Sequence, residues 1–387
     1  MPTTPAGLYI HIPFCQKKCA YCDFYSITDL SKIAPFIRAL KSEMQLSAKK
    51  PLIFDTLYAG GGTPSLLGAD EFGQIIKSAR RYFNIRPDTE MTLEVNPATV
   101  TVENLKTYRR CGFNRLNIGV QSFQNDNLQF LGRIHSAGDA LLSVKWARQA
   151  GFDNIGLDLI YGLAGQDEKN WLRDLKQAVD LKPQHIACYM LTTESGTPLD
   201  RDVKTGLTRL PADETVRELF DATIDYLTAH GYEHYEISNF ARCSGDGDAN
   251  VSKHNLKYWS FAPYLGLGPS AHSFVEPERF WNHRSVEKYM RQIQVGILPL
   301  AGKEKLTKEQ MIMEAVFLGL RTVRGIDLNL FKVKFNIDFG QIFCETIAEL
   351  ETEGMLKIND RHCTLTRTGL LFLDSIASRF VCQEFDV

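Results

Sequence analysis

The sequence predicts an α/β fold: a partial (βα)6 TIM-like barrel followed by a C-terminal winged-helix-like α+β module. Three observations lead there. Between residue 8 and about residue 200, six short β-rich runs alternate with amphipathic stretches, the pattern of parallel strands covered by helices. The unit recurs at roughly 30 residues, the length of a strand, its crossover helix and the return. Almost every chemically unusual residue falls just after one of those runs, at the rim where parallel barrels and open sheets build their sites. A doubly wound open sheet is the alternative closure.

The strands are expected at Leu8 to Ile12, Thr56 to Tyr58, Met91 to Val95, Arg115 to Val120, Ile155 to Ile160 and Ile186 to Leu191, where β-formers alternate or cluster. Helical spacing marks the stretches between them; Trp171, Leu175, Ala178 and Val179 recur at three and four. Residues 213–231 read as a further helix. Residues 232–285 are rich in Gly, His and aromatics with weak periodicity, and Ser244 to Asp248 is their most loop-like stretch. From Leu306 the order is helix (Met311, Ala315, Val316, Leu320), helix (Ile342 to Glu353), hairpin (Met355 to Thr366, turning at Asn359-Asp360) and helix (Leu370 to Phe380), as in a winged helix. Its middle helix carries Glu345, Glu349, Glu351 and Glu353, which phosphates would repel, so a packing or partner module is expected rather than a nucleic-acid reader. The expected division is 1–205 barrel, 206–300 barrel extension and 301–387 module.

A chain of 387 residues with 44% hydrophobic composition can bury one large core and an accessory domain. Lys plus Arg (44) nearly balances Asp plus Glu (46), so no chain-wide field points to nucleic acid or an anionic membrane. The first residues lack a basic start followed by an apolar run, and no stretch approaches the ~20 apolar residues of a spanning helix. The expected compartment is the cytoplasm, without a transmembrane segment and with peripheral membrane contact left open.

Nine cysteines, an odd number in a large chain, argue against a disulfide framework. Three crowd together as Cys15-x-x-x-Cys19-x-x-Cys22. Thiolates are the usual protein ligands of iron-sulfur clusters, and two short spacings let one loop hold three corners of a 4Fe-4S cubane while the fourth iron stays open. Zinc is the rival, but it needs a fourth ligand that only His11 could awkwardly supply.

This spacing, with an aromatic before the third cysteine, resembles the radical S-adenosylmethionine (SAM) superfamily. The resemblance implies a partial (βα)6 barrel in which SAM chelates the open iron through its amino and carboxylate groups, and in which one electron from the cluster can cleave it to a 5′-deoxyadenosyl radical. It also implies a set of SAM contacts. Gly60-Gly61-Gly62-Thr63-Pro64, where residues without Cβ expose peptide groups, would meet the methionyl amine through Gly61, Gly62 and Thr63. Glu94 in Leu-Glu-Val-Asn-Pro, Gln121 in Gly-Val-Gln-Ser-Phe and Asp158 in Gly-Leu-Asp-Leu-Ile-Tyr are polar contacts. Arg133 offers a planar fork to the SAM carboxylate or ribose, and Tyr9 and Thr192 complete the set.

Ile-His-Ile-Pro-Phe-Cys, Gly-Gly-Gly-Thr-Pro-Ser, Asp-Leu-Ile-Tyr-Gly-Leu and the terminal module narrow the resemblance to a group that holds oxygen-independent coproporphyrinogen III dehydrogenases and the related HemW heme chaperones. The dehydrogenases have a further cysteine two residues after the third, where this chain has Phe24. The chaperones have His-Asn-x-x-Tyr-Trp, present as His254, Asn255, Tyr258 and Trp259. The resemblance therefore implies His254 as a ligand of heme iron, with Asn255, Tyr258 and Trp259 around the porphyrin. The implied function is a chaperone that carries heme as cargo to an acceptor protein, holds a 4Fe-4S cluster and SAM, and draws on an electron donor if SAM is cleaved. The alternative is oxidative decarboxylation of coproporphyrinogen III to protoporphyrinogen IX.

Overall fold

The computed structural model describes residues 4–48, 51–243 and 250–380. The loop expected at Ser244 to Asp248 lies outside them. Six strands stand side by side in chain order at the centre of a 12-stranded sheet: β1 (Ala6–Ile12), β2 (Ile53–Gly61), β3 (Asn84–Val95), β4 (Arg115–Gln121), β5 (Asn154–Tyr161) and β6 (His185–Met190). Each neighbouring pair is parallel, and the main crossover helices are Ile33–Ser47, Ala69–Tyr82, Val102–Cys111, Ala137–Gln149 and Glu168–Asp180. Consecutive order is barrel-type winding. A doubly wound sheet reverses direction at a switch point, so that alternative falls and the partial barrel stands.

The period of two along each strand separates core from site. Leu8, Ile10 and Ile12 of β1, Leu116, Ile118 and Val120 of β4, and Ile155, Leu157 and Leu159 of β5 are fully buried in the main hydrophobic core. The residues between them, Tyr9 and His11, Asn117, Gly119 and Gln121, Asp158 and Ile160, line a cavity instead. Local signals fix the helices that cover the other face. Thr101 with Asn104 and Ser136 with Asp139 form capping boxes, and Gly112 stops its helix at φ 108°. Trp171, buried in the last crossover helix, donates from Nε1 to Thr223 Oγ1 at 2.7 Å and so ties that helix to Asp213–Ala229.

Residues 232–285, where the sequence shows weak periodicity, supply five short strands: β7 (Tyr232–Glu236), β8 (Asn239–Arg242), β9 (Tyr264–Leu267), β10 (His272–Val275) and β11 (Glu278–Asn282). With β12 (Leu300–Lys305) they extend both flanks of the parallel sheet. Strands β8 and β7 add antiparallel beyond β6, and β9 adds parallel beside β1 before β10 to β12 continue antiparallel. Strands of four or five residues are too short to show a period.

The C-terminal module has a three-stranded antiparallel sheet of β13 (Ile326–Asp327), β14 (Leu356–Ile358) and β15 (His362–Leu365). The expected hairpin is β14–β15. The helix Leu328–Phe335 and strand β13 were not anticipated, and the expected last helix is split into Arg367–Leu370 and Leu373–Ala377. Arg379 pairs with Glu349 and Glu353 at 2.7 Å each, which neutralises part of the acidic helix.

Candidate functional site: one cavity at the strand ends

The inward residues of β1 to β6 enclose a cavity of about 1320 Å³. Cys15, Cys19 and Cys22 all line it. Their loop closes on itself through Cys15 N–H to Ile27 O at 3.0 Å and Ile27 N–H to Pro13 O at 2.8 Å. The end of β2 clamps its base, with Gly62 N–H to Ile12 O at 2.8 Å and Thr63 N–H to Phe14 O at 2.7 Å. This contact accounts for the glycine run: a Cβ on Gly62 would stand 2.7 Å from Phe14 O, and one on Gly61, at φ 109°, would stand 2.5 Å from the His11 ring. The run thus serves close packing against the cysteine loop as well as leaving Gly61, Gly62 and Thr63 on the cavity wall.

The polar residues expected to meet SAM converge on the same wall. Glu94 accepts from Tyr58 Oη at 2.7 Å and from Gly61 N–H at 3.1 Å, and burial pushes its carboxyl up to about 7. Asp158 accepts from Asn117 Nδ2 at 2.6 Å, burial raises it to about 6, and its Oδ1 is buried without a partner. Arg133 donates from Nη2 to Gly119 O at 2.8 Å, while its Nε is also buried and unpaired. Gln121 holds φ 67° where β4 slips register against β5, an unusual conformation for a residue with a side chain. Tyr9 hydrogen-bonds His11 Nδ1 through Oη at 3.1 Å, and Thr192 sits at the exposed rim, donating to Glu194. All of these residues line the cavity.

The donor set suits the groups the family implies. An orphaned buried polar atom costs about 1–3 kcal/mol, so Asp158 Oδ1 and Arg133 Nε are prepared for a ligand carrying both signs of charge, as SAM does. Among the described residues no group of three or more His, Cys, Asp or Glu side chains stands close enough to hold a metal ion, the three cysteines of the loop included. Tyr58 and Asn117 were missed from sequence, although register pairs Tyr58 with Tyr9 and Asn117 with Glu94.

Most of the histidine motif stands off the cavity. His254 lies on the helix Lys253–Trp259, is 1% exposed and does not line the cavity. Its Nδ1 is bonded to Thr56 Oγ1 at 2.8 Å and its Nε2 to Tyr258 Oη at 3.0 Å, so both nitrogens that could bind iron are occupied. Gly7 makes the room for its ring: a Cβ there would stand 3.0 Å from His254 Cε1. Asn255 and Trp259 also stay off the cavity, Trp259 under the Arg321 guanidinium at 4.3 Å, whereas Tyr258 faces in. Among the described residues His11 and His272 are the cavity's histidines. His11 is tied to Tyr9 and to Tyr25 O. The His272 ring stacks on Trp281, and among the described residues neither nitrogen has a hydrogen-bond partner.

Residues 9–178 match the family model for the radical SAM superfamily, and 306–372 match that for the HemN C-terminal domain. The chain is 33% identical to the heme chaperone HemW of Mycobacterium tuberculosis, over 97% of this chain and 95% of the relative. It is 33% identical to HemW of Bacillus subtilis, over 96% and 98%. The structure of coproporphyrinogen III oxidase (HemN) from Escherichia coli, a radical SAM enzyme, shares the fold with a TM-score of 0.83 over 98% of this chain and 90% of that one, at 24% identity. Among the described residues no helix is long and apolar enough to cross a membrane. Full-length similarity, the cysteine loop and the consecutive parallel winding together make the chain a member of the radical SAM superfamily, within the HemW heme chaperone family.

Proposed function

We propose that this chain is a heme chaperone that takes heme into the cavity and hands it to an acceptor protein, with a 4Fe-4S cluster on Cys15, Cys19 and Cys22 and SAM on the adjoining wall. When bound, the cluster supplies an open iron for the SAM amino and carboxylate groups and an electron if SAM is cleaved, in which case an electron donor is a further partner. The chain's own residues do the holding. Glu94 and Asp158 present carboxyl oxygens to the cationic parts of SAM, Arg133 presents Nε to its carboxylate or ribose, and Gly61, Gly62, Thr63, Tyr9, Gln121 and Thr192 shape the seat.

The observation that carries the heme reading is the size and lining of the cavity. At about 1320 Å³ it exceeds the roughly 300–1,000 Å³ of a site for one small ligand, which leaves room beside SAM. Exposed Phe24, Met190 and Phe372 and the ring of Tyr264 offer apolar contact to a macrocycle, and Lys17, Arg284 and Arg321 offer cations to its propionates. Phe24, in place of the further cysteine of the dehydrogenases, favours the chaperone over oxidative decarboxylation. Residues 1–205 would carry cluster and SAM, 206–300 would add Tyr264, His272 and Arg284 to the heme-facing wall, and 301–387 would close that wall with Arg321 and Phe372 and serve as a module for partner contact. A cluster on free thiols suits a reducing compartment, and the cytoplasm is the one we assign.

For iron, the ring that needs no rearrangement is His272; burial lowers its pKa, so it is neutral at pH 7. His254 would first have to give up two hydrogen bonds, at about 0.5–1.5 kcal/mol each. Heme titration of cluster-loaded His272→Ala and His254→Ala decides between them. Loss of the wild-type Soret position in His272→Ala alone assigns the iron there; loss in a folded, cluster-loaded His254→Ala alone returns it to His254 and requires that ring to swing out.

A further inference from the structure

Two thiols of the cysteine loop have a side-chain hydrogen-bond donor of their own: Thr63 Oγ1 donates to Cys15 Sγ at 3.5 Å, and Arg133 Nη1 donates to Cys19 Sγ at 3.6 Å. Of these donors only Arg133 is charged, and its charge is permanent. It is also held in place. Nη2 is anchored on Gly119 O at the end of β4 at 2.8 Å. The segment before it is joined to the cysteine loop by Ala20 N–H to Leu131 O at 3.4 Å.

Hydrogen bonds to ligand sulfurs and nearby positive charge draw electron density from an iron-sulfur cluster and favour its reduced, more negative state. We propose that Arg133 sets the reduction potential of the 4Fe-4S cluster through the Cys19 sulfur, with Thr63 as a weaker second donor through Cys15. The proposal rests on the cluster reading of the three cysteines. Arg133 acts here through a ligand sulfur, a role separate from any contact it makes with SAM.

The test is a redox titration of the anaerobically reconstituted full chain without SAM, followed by electron paramagnetic resonance. At the wild-type midpoint, Arg133→Gln should lower the ratio of reduced to oxidised cluster at least about tenfold, a shift of about 59 mV for one electron. Arg133→Lys and Thr63→Val should fall between that variant and wild type. Arg148→Gln, a control on an outer helix where Arg148 bonds the Leu181 and Lys182 carbonyls, should match wild type. Wild-type midpoints in Arg133→Gln and Thr63→Val would overturn the proposal. If Arg133→Gln takes up no cluster, Arg133→Lys and Thr63→Val decide by the same criterion. A wild-type chain that incorporates neither iron nor sulfide overturns the cluster reading itself, and this proposal with it.

Discussion

Glu94 shows how one buried carboxyl ties the sequence to a measurable pH dependence. It closes β3 facing inward, where Tyr58 and Gly61 satisfy it but the surrounding protein desolvates it, so its pKa rises from 4.5 to about 7. A carboxyl raised in the folded state holds a proton that the unfolded chain releases, so its contribution to stability is full below about 4.5 and is lost as the pH climbs through about 7. A SAM cation needs the carboxylate. Below pH 7 its binding must therefore expel a proton, and affinity should rise with pH, by up to about tenfold per unit, before levelling off. Asp158, raised to about 6, titrates in the same window and faces the same cavity. SAM titrations of cluster-loaded protein between pH 5.5 and 8 should therefore show a slope that Glu94→Gln reduces and Glu94→Gln with Asp158→Asn removes; an unchanged slope in the double variant would contradict the assignment.

At the scale of elements, the contact between the end of β2 and the cysteine loop decides whether three thiols share one cavity. Gly62 makes it feasible because a Cβ would meet the carbonyl oxygens of Phe14 and Ile12, which are backbone and cannot turn aside. Gly62→Ala should cost about 1–3 kcal/mol, lower Tm and reduce iron incorporation. Gly73, in the helix Ala69–Tyr82 with nothing within 4 Å of its Cβ position, is the opposite case, and Gly73→Ala should stabilise the chain by about 0.4–1 kcal/mol with normal iron loading. Equal effects of the two substitutions would mean that the clamp is not what positions the loop. The barrel strands and the cysteine loop were legible in the sequence because period two and ligand spacing are local properties. The flanking strands β7 to β11 were not, since each is short and is stabilised by neighbours distant in the chain. The burial of His254 was not legible for a related reason: a motif names an imidazole but not whether Thr56 and Tyr258 already hold its nitrogens. Nothing in the motif itself marks Gly7, whose missing side chain admits the ring.

The molecule is built on an open 12-stranded sheet whose parallel centre carries the thiols and polar wall, while strands from later in the chain extend both sides and the C-terminal module adds a second, three-stranded sheet. Strands β7 and β12 end the order without pairing to each other, β7 instead meeting the C-terminal module through the Glu236–Thr322 bridge and Val323 N–H to Tyr235 O at 3.1 Å, and the mouth of the cavity keeps large apolar side chains in water: Phe24 is 69% exposed, Phe372 51% and Met190 48%. Exposed apolar groups beside a large polar cavity suit a ligand that enters and leaves whole, as the proposed carriage to an acceptor requires. The most direct measurement sets the two against each other on one preparation. Anaerobically reconstituted full-length protein is titrated with heme in the Soret region, and a second portion is given coproporphyrinogen III, SAM and a reductant. We predict saturable binding of about one heme per chain and no protoporphyrinogen IX. Catalytic formation of protoporphyrinogen IX without saturable heme binding would contradict the account.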